Sequence, residues 1–551
     1  MGNTTFWLRL AAVAATGVGS AALVSPWDLG FLAWISFSPL LVALWSLEGK
    51  HAAWKGFGLG WLAGTVAHGL QLSWLSVVSP LGAGVLPAYL GLFWGVFGAF
   101  AATSGNPLHG RLQLHSNLVA AFSTAAVWAS LEWLRGWLFT GFGWNGIGIG
   151  LHDNLIFSQP ADLLGVPGLS LLLVFIQALL VLGIRRKNLS AAIPIIGTVL
   201  LAGAYGKFRI QQEESRPTTP LRALLVQNNI PQDAARYLWD PAEIHMAYED
   251  ATLEALEEAK AAETFPDWVI WPESALTGRI LRTDDGGWGT WQENVDTLRN
   301  VREGGDFTLM FGAVELEATN DGDTLTPKPG GNTYNSLVAM SPADELQTFR
   351  KHHLVIFGET IPFVDSIPFL KKIYQQQAGV EYGGSFASGG SFEPLAATTA
   401  AGTEIGVIPS ICFEDTVPRL TRRFLKDGPQ VIVNITNDGW FKESPAAAQH
   451  FANAKFRAIE LRRPMLRAAN TGVTASVDTT GRAAVLTDSK GSHFTSGTLL
   501  ARVPVPTRPG MSLYGMIGDW GIILMGVGGA ALAFRSRRSK RGGAENTTVT
   551  L

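Results

Sequence analysis

The feature that most constrains this chain is the near absence of charge from its first 210 residues, which hold only 15 Asp, Glu, Lys and Arg. A helix needs about 20 mostly apolar residues to cross the hydrocarbon core of a bilayer. Runs of that kind read at 6–24, 29–47, 56–77, 83–104, 117–138, 167–184 and 190–206, with an eighth at 514–534. A buried soluble helical core is the competing reading, and seven such runs in succession argue against it. The first run is too weakly basic at its start, and too closely followed by others, to be a simple cleaved signal.

Loop charge orients such a bundle, because Lys and Arg accumulate on the cytoplasmic side. Lys50 and Lys55 follow the second run, Arg111 the fourth, and Arg185, Arg186 and Lys187 the sixth. Arg535, Arg537, Arg538, Lys540 and Arg541 follow the last. The alternate loops carry Asp28, Asp153 and Asp162 and no Lys or Arg. Both termini are therefore expected in the cytoplasm, and the stretch between the seventh and eighth runs outside it. Gly56, Gly60 and Gly64 share one helix face, which predicts close helix packing. Glu132 and Arg135 sit near the end of the fifth run. An ionisable pair at that depth reads as a functional or partner-paired site, and snorkelling of Arg135 to the interface is the alternative.

Residues 211–510 have ordinary charge and alternate strand-like with helix-like runs. Apolar or β-branched stretches at Leu221–Gln227, Trp268–Trp271, Phe307–Val314, Tyr334–Ala339, Ile405–Cys412, Val431–Ile435 and Met465–Asp478 predict strands. Residues 242–263 and 445–462 predict helices. That alternation predicts a layered α/β domain. The whole chain, at 551 residues with 47% hydrophobics, 16% charged residues and 19 Trp, suits two or three units partly dissolved in lipid. A net charge of -3 gives no pointer to nucleic acid. One cysteine can build neither a zinc site nor an internal disulfide. No glycine-rich phosphate loop is present, so no nucleotide, metal or other cofactor is expected.

Three residues of the α/β stretch draw chemical notice. Cys412 ends an apolar strand before an expected helix, a position that exposes a thiol and lowers its pKa; a buried inert cysteine is the alternative. Glu273 follows a buried strand and Pro272, and is open to reading as a helix N-terminal acid. Lys351 lies in a basic cluster, Arg350-Lys351-His352-His353, which is otherwise a solvated face. Together they form a working set. A carboxylate can take the thiol proton, the thiolate can attack a carbonyl to form a thioester, and an ammonium can steady the oxyanion beside a backbone N–H.

Glu273, Lys351 and Cys412, spaced by 78 and 61 residues, resemble the triad of the nitrilase, or carbon–nitrogen hydrolase, superfamily. Flanking motifs are similar to one branch, the apolipoprotein N-acyltransferases: Val226-Gln227-Asn228-Asn229-Ile230-Pro231-Gln232, Trp271-Pro272-Glu273, the run from Lys351 through Phe357 to Gly358-Glu359, Asn437-Asp438-Gly439-Trp440-Phe441, Arg457-Ala458-Ile459-Glu460-Leu461-Arg462-Arg463-Pro464, and Glu132-Trp133-Leu134-Arg135-Gly136-Trp137-Leu138. The chain departs from the family pattern at Phe349 and Phe413, where Tyr is usual, at Ile356, where Pro is usual, and at Gly439, where Ala is frequent.

The resemblance implies an eight-span α-helical bundle at 1–210 and 511–551, with a nitrilase-like αββα sandwich at 211–510 inserted before the last span. It implies ping-pong transfer of a fatty acyl chain from a phospholipid, through a Cys412 thioester, to the α-amine of a diacylglyceryl-cysteine on an apolipoprotein. Glu273 would be the general base, Lys351 the oxyanion stabiliser, and Glu359 and Glu414 supporting acids, Glu414 by positioning Lys351 or Glu273. Trp239, Trp440, Phe441 and Arg135 are candidates to bind or gate substrate, and core packing is the equal alternative for the first three. The implied setting is the bacterial inner membrane, as a monomer, with the catalytic domain periplasmic and its pocket opening toward lipid. A membrane-tethered amidase and a non-enzymatic scaffold are the rival readings.

Overall fold

The computed structural model describes residues 2–109, 114–233, 236–322, 324–356, 358–361, 369, 372 and 385–545. Arg111 of the loop-charge pattern and Phe357 of the lysine motif lie outside them. The chain divides into two compact units, residues 1–214 with 512–551, and residues 215–511.

In the first unit a helix lies on every one of the apolar runs: Gly2–Ala21, Ser38–Trp45, Ala52–Gln71, Pro80–Ala101, Leu114–Arg135, Ala161–Arg186, Ala192–Glu214 and Trp520–Glu545. Among the described residues, Pro80–Ala101, Ala161–Arg186 and Leu189–Glu214 are long and apolar enough to cross a membrane, while Gly30–Trp45 and Trp520–Arg535 are shorter apolar stretches. The remaining helices carry polar interruptions, such as Lys55 and His68 in Ala52–Gln71 and Glu132 and Arg135 in Leu114–Arg135. The glycine stripe of Ala52–Gln71 does what its spacing predicts. A Cβ on Gly60 would stand 2.2 Å from the Trp94 carbonyl oxygen, and one on Gly98 would stand 2.1 Å from that of Gly56. The two helices thus touch backbone to backbone. Where surrounding lipid is as apolar as the side chains, such contact replaces hydrophobic burial as the source of cohesion. Polar links add direction: Asp162 receives Tyr205 Oη and Arg209 Nε, both at 2.7 Å, which ties the last two long helices before residue 214 together.

The second unit is built on two sheets. The first runs Leu346–Arg350, Thr333–Met340, Thr308–Asp321, Trp268–Ile270, Thr218–Gln227, Gly497–Pro506 in spatial order, and the second Leu395–Thr398, Glu404–Ile411, Gln430–Thr436, Met465–Ala469, Ala475–Val477, Ala483–Val485. The central strands of each are parallel. Parallel strands are covered on both faces and so read as apolar runs, which made them visible in the sequence along with the antiparallel Thr333–Met340. The sheets face each other, Thr218–Gln227 meeting Met465–Ala469 and Thr333–Met340 meeting Glu404–Ile411. Helices Pro241–Ala261 and Gln292–Glu303 cover the first sheet, where Ile244, Tyr248, Leu256, Leu298 and Val301 bury against Leu224, Val269, Trp271 and Phe311. Helix Ala446–Ala454 lies on the second sheet, where His450 reaches Arg467 at 3.1 Å. The layers therefore run helix, sheet, sheet, helix. The strand Gly497–Pro506 went unpredicted because it alternates and contains Pro504 and Pro506, which only an edge strand tolerates.

Candidate active site

Each of the three reactive residues sits just past the end of a strand. The chain leaves Trp268–Ile270 through Trp271 and Pro272, and Glu273 then enters a turn in which Ser274 takes φ +56°. No helix begins there, so the helix N-terminal reading of Glu273 is excluded. The turn fits because position 312 is glycine: a Cβ on it would lie 2.6 Å from Glu273 Cα. Lys351 follows Leu346–Arg350 directly and is 1% exposed, which rules out a solvated basic face. Its N–H donates to the Asn335 carbonyl at 2.8 Å and its own carbonyl accepts from Gly389 N–H at 2.8 Å. Cys412 follows Glu404–Ile411, takes φ +53°, and opens a five-residue 3-10 turn, Cys412–Thr416. The strained left-handed conformation turns the thiol off the strand, and the residue stays half-buried rather than sealed.

Lys351 Nζ lies 2.9 Å from Glu359 Oε1 and 3.8 Å from Glu273 Oε1. Asn335 Nδ2 bridges the two carboxylates, donating to Glu273 Oε1 at 2.8 Å and to Glu359 Oε1 at 2.7 Å. The other oxygen of Glu359 accepts from Val355 N–H at 2.9 Å. Glu273 Oε2 is buried and makes no hydrogen bond among the described residues, and the Cys412 thiol is near enough for the two groups to perturb each other's ionisation. Glu414 accepts three backbone N–H groups: His352 at 2.7 Å and His353 at 2.9 Å on Oε1, and Ile411 at 2.9 Å on Oε2. It therefore holds the segment after Lys351 against the end of the cysteine strand through the backbone.

Burial raises the Glu273 carboxyl above its ordinary range, opposed by Lys351 and reinforced by Glu359. Burial works against the Lys351 ammonium too, yet Glu359 and Glu273 outweigh it and hold Lys351 firmly charged. Glu359, close to that ammonium, ends below the usual carboxylate range although burial opposes this. Cys412 corrects the expectation of a lowered thiol pKa. Burial and then the Glu273 carboxylate push it well up, and Lys351 offsets only part. A single 3-10 turn presents too few aligned peptides to reverse that desolvation. The thiol thus rests protonated beside a basic carboxylate.

The other candidates divide. Trp239 and Trp440 are 40% and 38% exposed, so core packing is excluded for both, while Phe441 is half-buried. Their segments meet at Gln232, whose Oε1 accepts from Asn437 Nδ2 at 2.6 Å. Arg135 belongs to the first unit and is 3% exposed, so it does not snorkel. It bonds His68 Nε2 and the Trp144 carbonyl, both at 2.9 Å, while Glu132 accepts from Ile147 N–H at 2.9 Å. The substituted aromatics have aromatic partners: Phe349 packs on His352 and Phe424, and Phe413 stacks on His353. Sequence reading missed Asn335, which shares the polar first half of the strand Thr333–Met340 with Thr333 and Ser336 and carries no spacing signal of its own. Among the described residues no cluster of three or more His, Cys, Asp or Glu could hold a metal ion.

Comparison with known proteins bears on the same two units. Residues 16–179 match the family model for the apolipoprotein N-acyltransferase N-terminal domain, and residues 222–507 match that for carbon-nitrogen hydrolase. An apolipoprotein N-acyltransferase of Geobacter metallireducens (strain ATCC 53774 / DSM 7210 / GS-15) is 31% identical over 532 residues, 92% of this chain and 91% of that one. One of Agrobacterium fabrum (strain C58 / ATCC 33970) is 32% identical over 493 residues, 86% of each. The carbon-nitrogen hydrolase structure from Helicobacter pylori G27 is similar at a TM-score of 0.33 and 13% identity, over 52% of this chain and 89% of that one. Matched along most of its length, in both its helical and its α/β unit, the chain belongs to the apolipoprotein N-acyltransferase family.

Proposed function

We propose that this enzyme acylates the amino terminus of lipoproteins, moving a fatty acyl chain from a phospholipid through a thioester on Cys412. The observation that carries the reading is the convergence of three strand ends, from two sheets, on one cluster of buried Glu273 and Lys351 and half-buried Cys412 in a chain of this family.

Cys412 Sγ attacks the ester carbonyl of the phospholipid while Glu273 takes the thiol proton. Because the thiol holds its proton tightly, transfer to Glu273 accompanies S–C bond formation instead of preceding it. Lys351, kept charged by its two carboxylates, faces the oxyanion. Collapse of the adduct breaks the C–O bond, Glu273 returns its proton to the glycerol oxygen, and lysophospholipid leaves. The α-amine of the diacylglyceryl-cysteine then attacks the thioester and gives its proton to Glu273. Collapse breaks the C–S bond, and the same proton restores the thiol. Asn335 and Glu359 hold Glu273 and Lys351 in place, and Glu414 fixes the lysine segment against Cys412. Trp239, Trp440 and Phe441 border the path to the thiol and keep water from the thioester.

The setting follows from the loop charges. Eight helices span the bacterial inner membrane, both termini are cytoplasmic, and the 215–511 unit is periplasmic. Support comes from Lys50, Lys55, Arg185, Arg186 and Lys187 lying in alternate loops. A monomer, without cofactor, suffices for this chemistry. The test supplies purified protein with a phospholipid carrying a labelled acyl chain. Label should appear on Cys412 as lysophospholipid is released, and a diacylglyceryl-cysteine peptide should discharge it to its amine. Label passing only to free fatty acid would instead favour an amidase-like hydrolase, and no label at all would favour a scaffold.

A further inference from the structure

Beside the Cys412 turn stands a second buried cluster that the transfer chemistry does not use. Asp415, Asp438, His450 and Arg467 are each at most 1% exposed. They come from four elements: the turn Cys412–Thr416, the turn Asp438–Phe441, the helix Ala446–Ala454 and the strand Met465–Ala469. His450 Nε2 lies 2.9 Å from Asp415 Oδ1, and its Nδ1 lies 2.8 Å from Asp438 Oδ1. Arg467 pairs with the remaining oxygens, Asp415 Oδ2 and, at 3.2 Å, Asp438 Oδ2. It also donates to Asn434 Oδ1 at 2.8 Å, and Asn434 Nδ2 donates to the Cys412 carbonyl at 3.2 Å. From the next helix, Arg457 donates to the Asp415 carbonyl at 3.3 Å and pairs with Glu460 at 2.7 Å.

Two carboxylates can both accept from one imidazole only if both ring nitrogens carry protons. The cluster is then balanced, with two cations against two anions. Burial disfavours the imidazolium, but Asp415 and Asp438 outweigh burial and Arg467 and raise its pKa to about 9. The geometry also contains the deprotonated alternative. Arg467 Nη2 lies 3.1 Å from His450 Nδ1. Once that nitrogen loses its proton it can accept from Arg467, and Asp438 Oδ1 loses its donor. Asp438 opens the turn that carries Trp440 and Phe441.

We propose that His450 is a positioning residue which, as an imidazolium, locks the Cys412 turn to the Asp438–Phe441 turn, and that loss of its proton releases the aromatic turn and slows acylation. This rests on Cys412 being the nucleophile. The experiment follows single-turnover acylation of Cys412 in the full chain, using vesicles of phosphatidylethanolamine and phosphatidylglycerol with a labelled acyl chain, across a range of pH. The wild-type rate should fall as pH passes about 9. Asp438→Asn removes one of the two carboxylates that favour the imidazolium, and should move this alkaline limb down by roughly 1–3 pH units. His450→Gln should lose the limb and acylate roughly 10–100-fold more slowly at neutral pH, the loss expected of a misplaced reacting group. A wild-type rate that stays flat from neutral to strongly alkaline pH overturns the proposal without any variant having to fold. So does a limb that stays in place in Asp438→Asn. Wild-type protein that never carries label on Cys412 overturns the nucleophile assignment itself, a separate failure.

Discussion

Asn335 offers the sharpest test of how the buried carboxylates are managed. Its amide donates to Glu273 at 2.8 Å and to Glu359 at 2.7 Å, from a side chain that is itself buried. Asn335→Ala removes both bonds, leaving Glu273 with Lys351 alone at 3.8 Å and Glu359 with Lys351 and the Val355 N–H. A hydrogen bond to a charged group contributes about 1.5–3 kcal/mol. The two act through one side chain, so their losses are not additive, and a total near 3 kcal/mol is expected. For the 215–511 unit, with an unfolding entropy of about 2.1 cal/mol/K per residue, that corresponds to a fall in Tm of roughly 5 °C. The kinetic consequence is separate. A donor lost from the ionised form of Glu273 raises its pKa by ~1–2 units, since one unit is about 1.4 kcal/mol. The acid limb of Cys412 acylation should therefore move to higher pH by the same amount. Asn335→Asp should move it further, because a third carboxylate joins two others around one ammonium. Melting by circular dichroism and single-turnover acylation against pH measure the two effects independently. An Asn335→Ala protein with wild-type Tm and an unmoved acid limb would refute the claim that this amide supports the general base.

Three more outcomes follow from the geometry. Cys412→Gly should be inactive yet about 1 kcal/mol more stable than Cys412→Ala, because glycine alone takes φ +53° without strain; comparative melting of the two variants checks this. Gly60→Ala should weaken the first unit by ~1–3 kcal/mol by driving a methyl to within 2.2 Å of the Trp94 carbonyl, whereas Gly58→Ala, with nothing within 4 Å, should be neutral or mildly stabilising; thermal aggregation in detergent separates them. The His450 cluster predicts a pH dependence of stability. Its folded pKa of about 9 lies above the ordinary value of 6.5, so its contribution is complete below pH 6.5 and is lost as pH rises through 9. The full change is about 3 kcal/mol, readable as a Tm that falls across that window and stops falling in His450→Gln.

What could be read from the sequence was what leaves a periodic or lexical trace. The parallel strands Gln430–Thr436 and Glu404–Ile411 have β-branched apolar centres, Val431–Val433 and Ile405–Ile408, so they announced themselves, as did the turns in which each ends. Glu273, Lys351 and Cys412 were reachable because a shared mechanism gave meaning to residues that are ambiguous singly. Their surroundings were not reachable in the same way. Asn335 is 62 residues from Glu273 and 24 from Glu359, and only the register of Thr333–Met340 against Thr308–Asp321 places it between them. The thiol pKa was misjudged for a related reason: the strand-to-helix turn was visible, but the desolvation around it depends on packing from both sheets. The Asp415–Asp438–His450–Arg467 cluster draws on four elements within 53 residues, and no spacing pattern marks it.

The reach of Glu414 has a mechanical consequence. Lys351 hangs from one sheet and Cys412 from the other, so their separation depends on how the two sheets are held together. A carboxylate rooted two residues after the cysteine grips the backbone just beyond the lysine, and grips the end of its own strand with its other oxygen. The two halves are thereby pinned at the point where their separation matters, as a rivet pins two plates. One side chain thus joins the backbone that follows the ammonium to the strand end that precedes the sulfur.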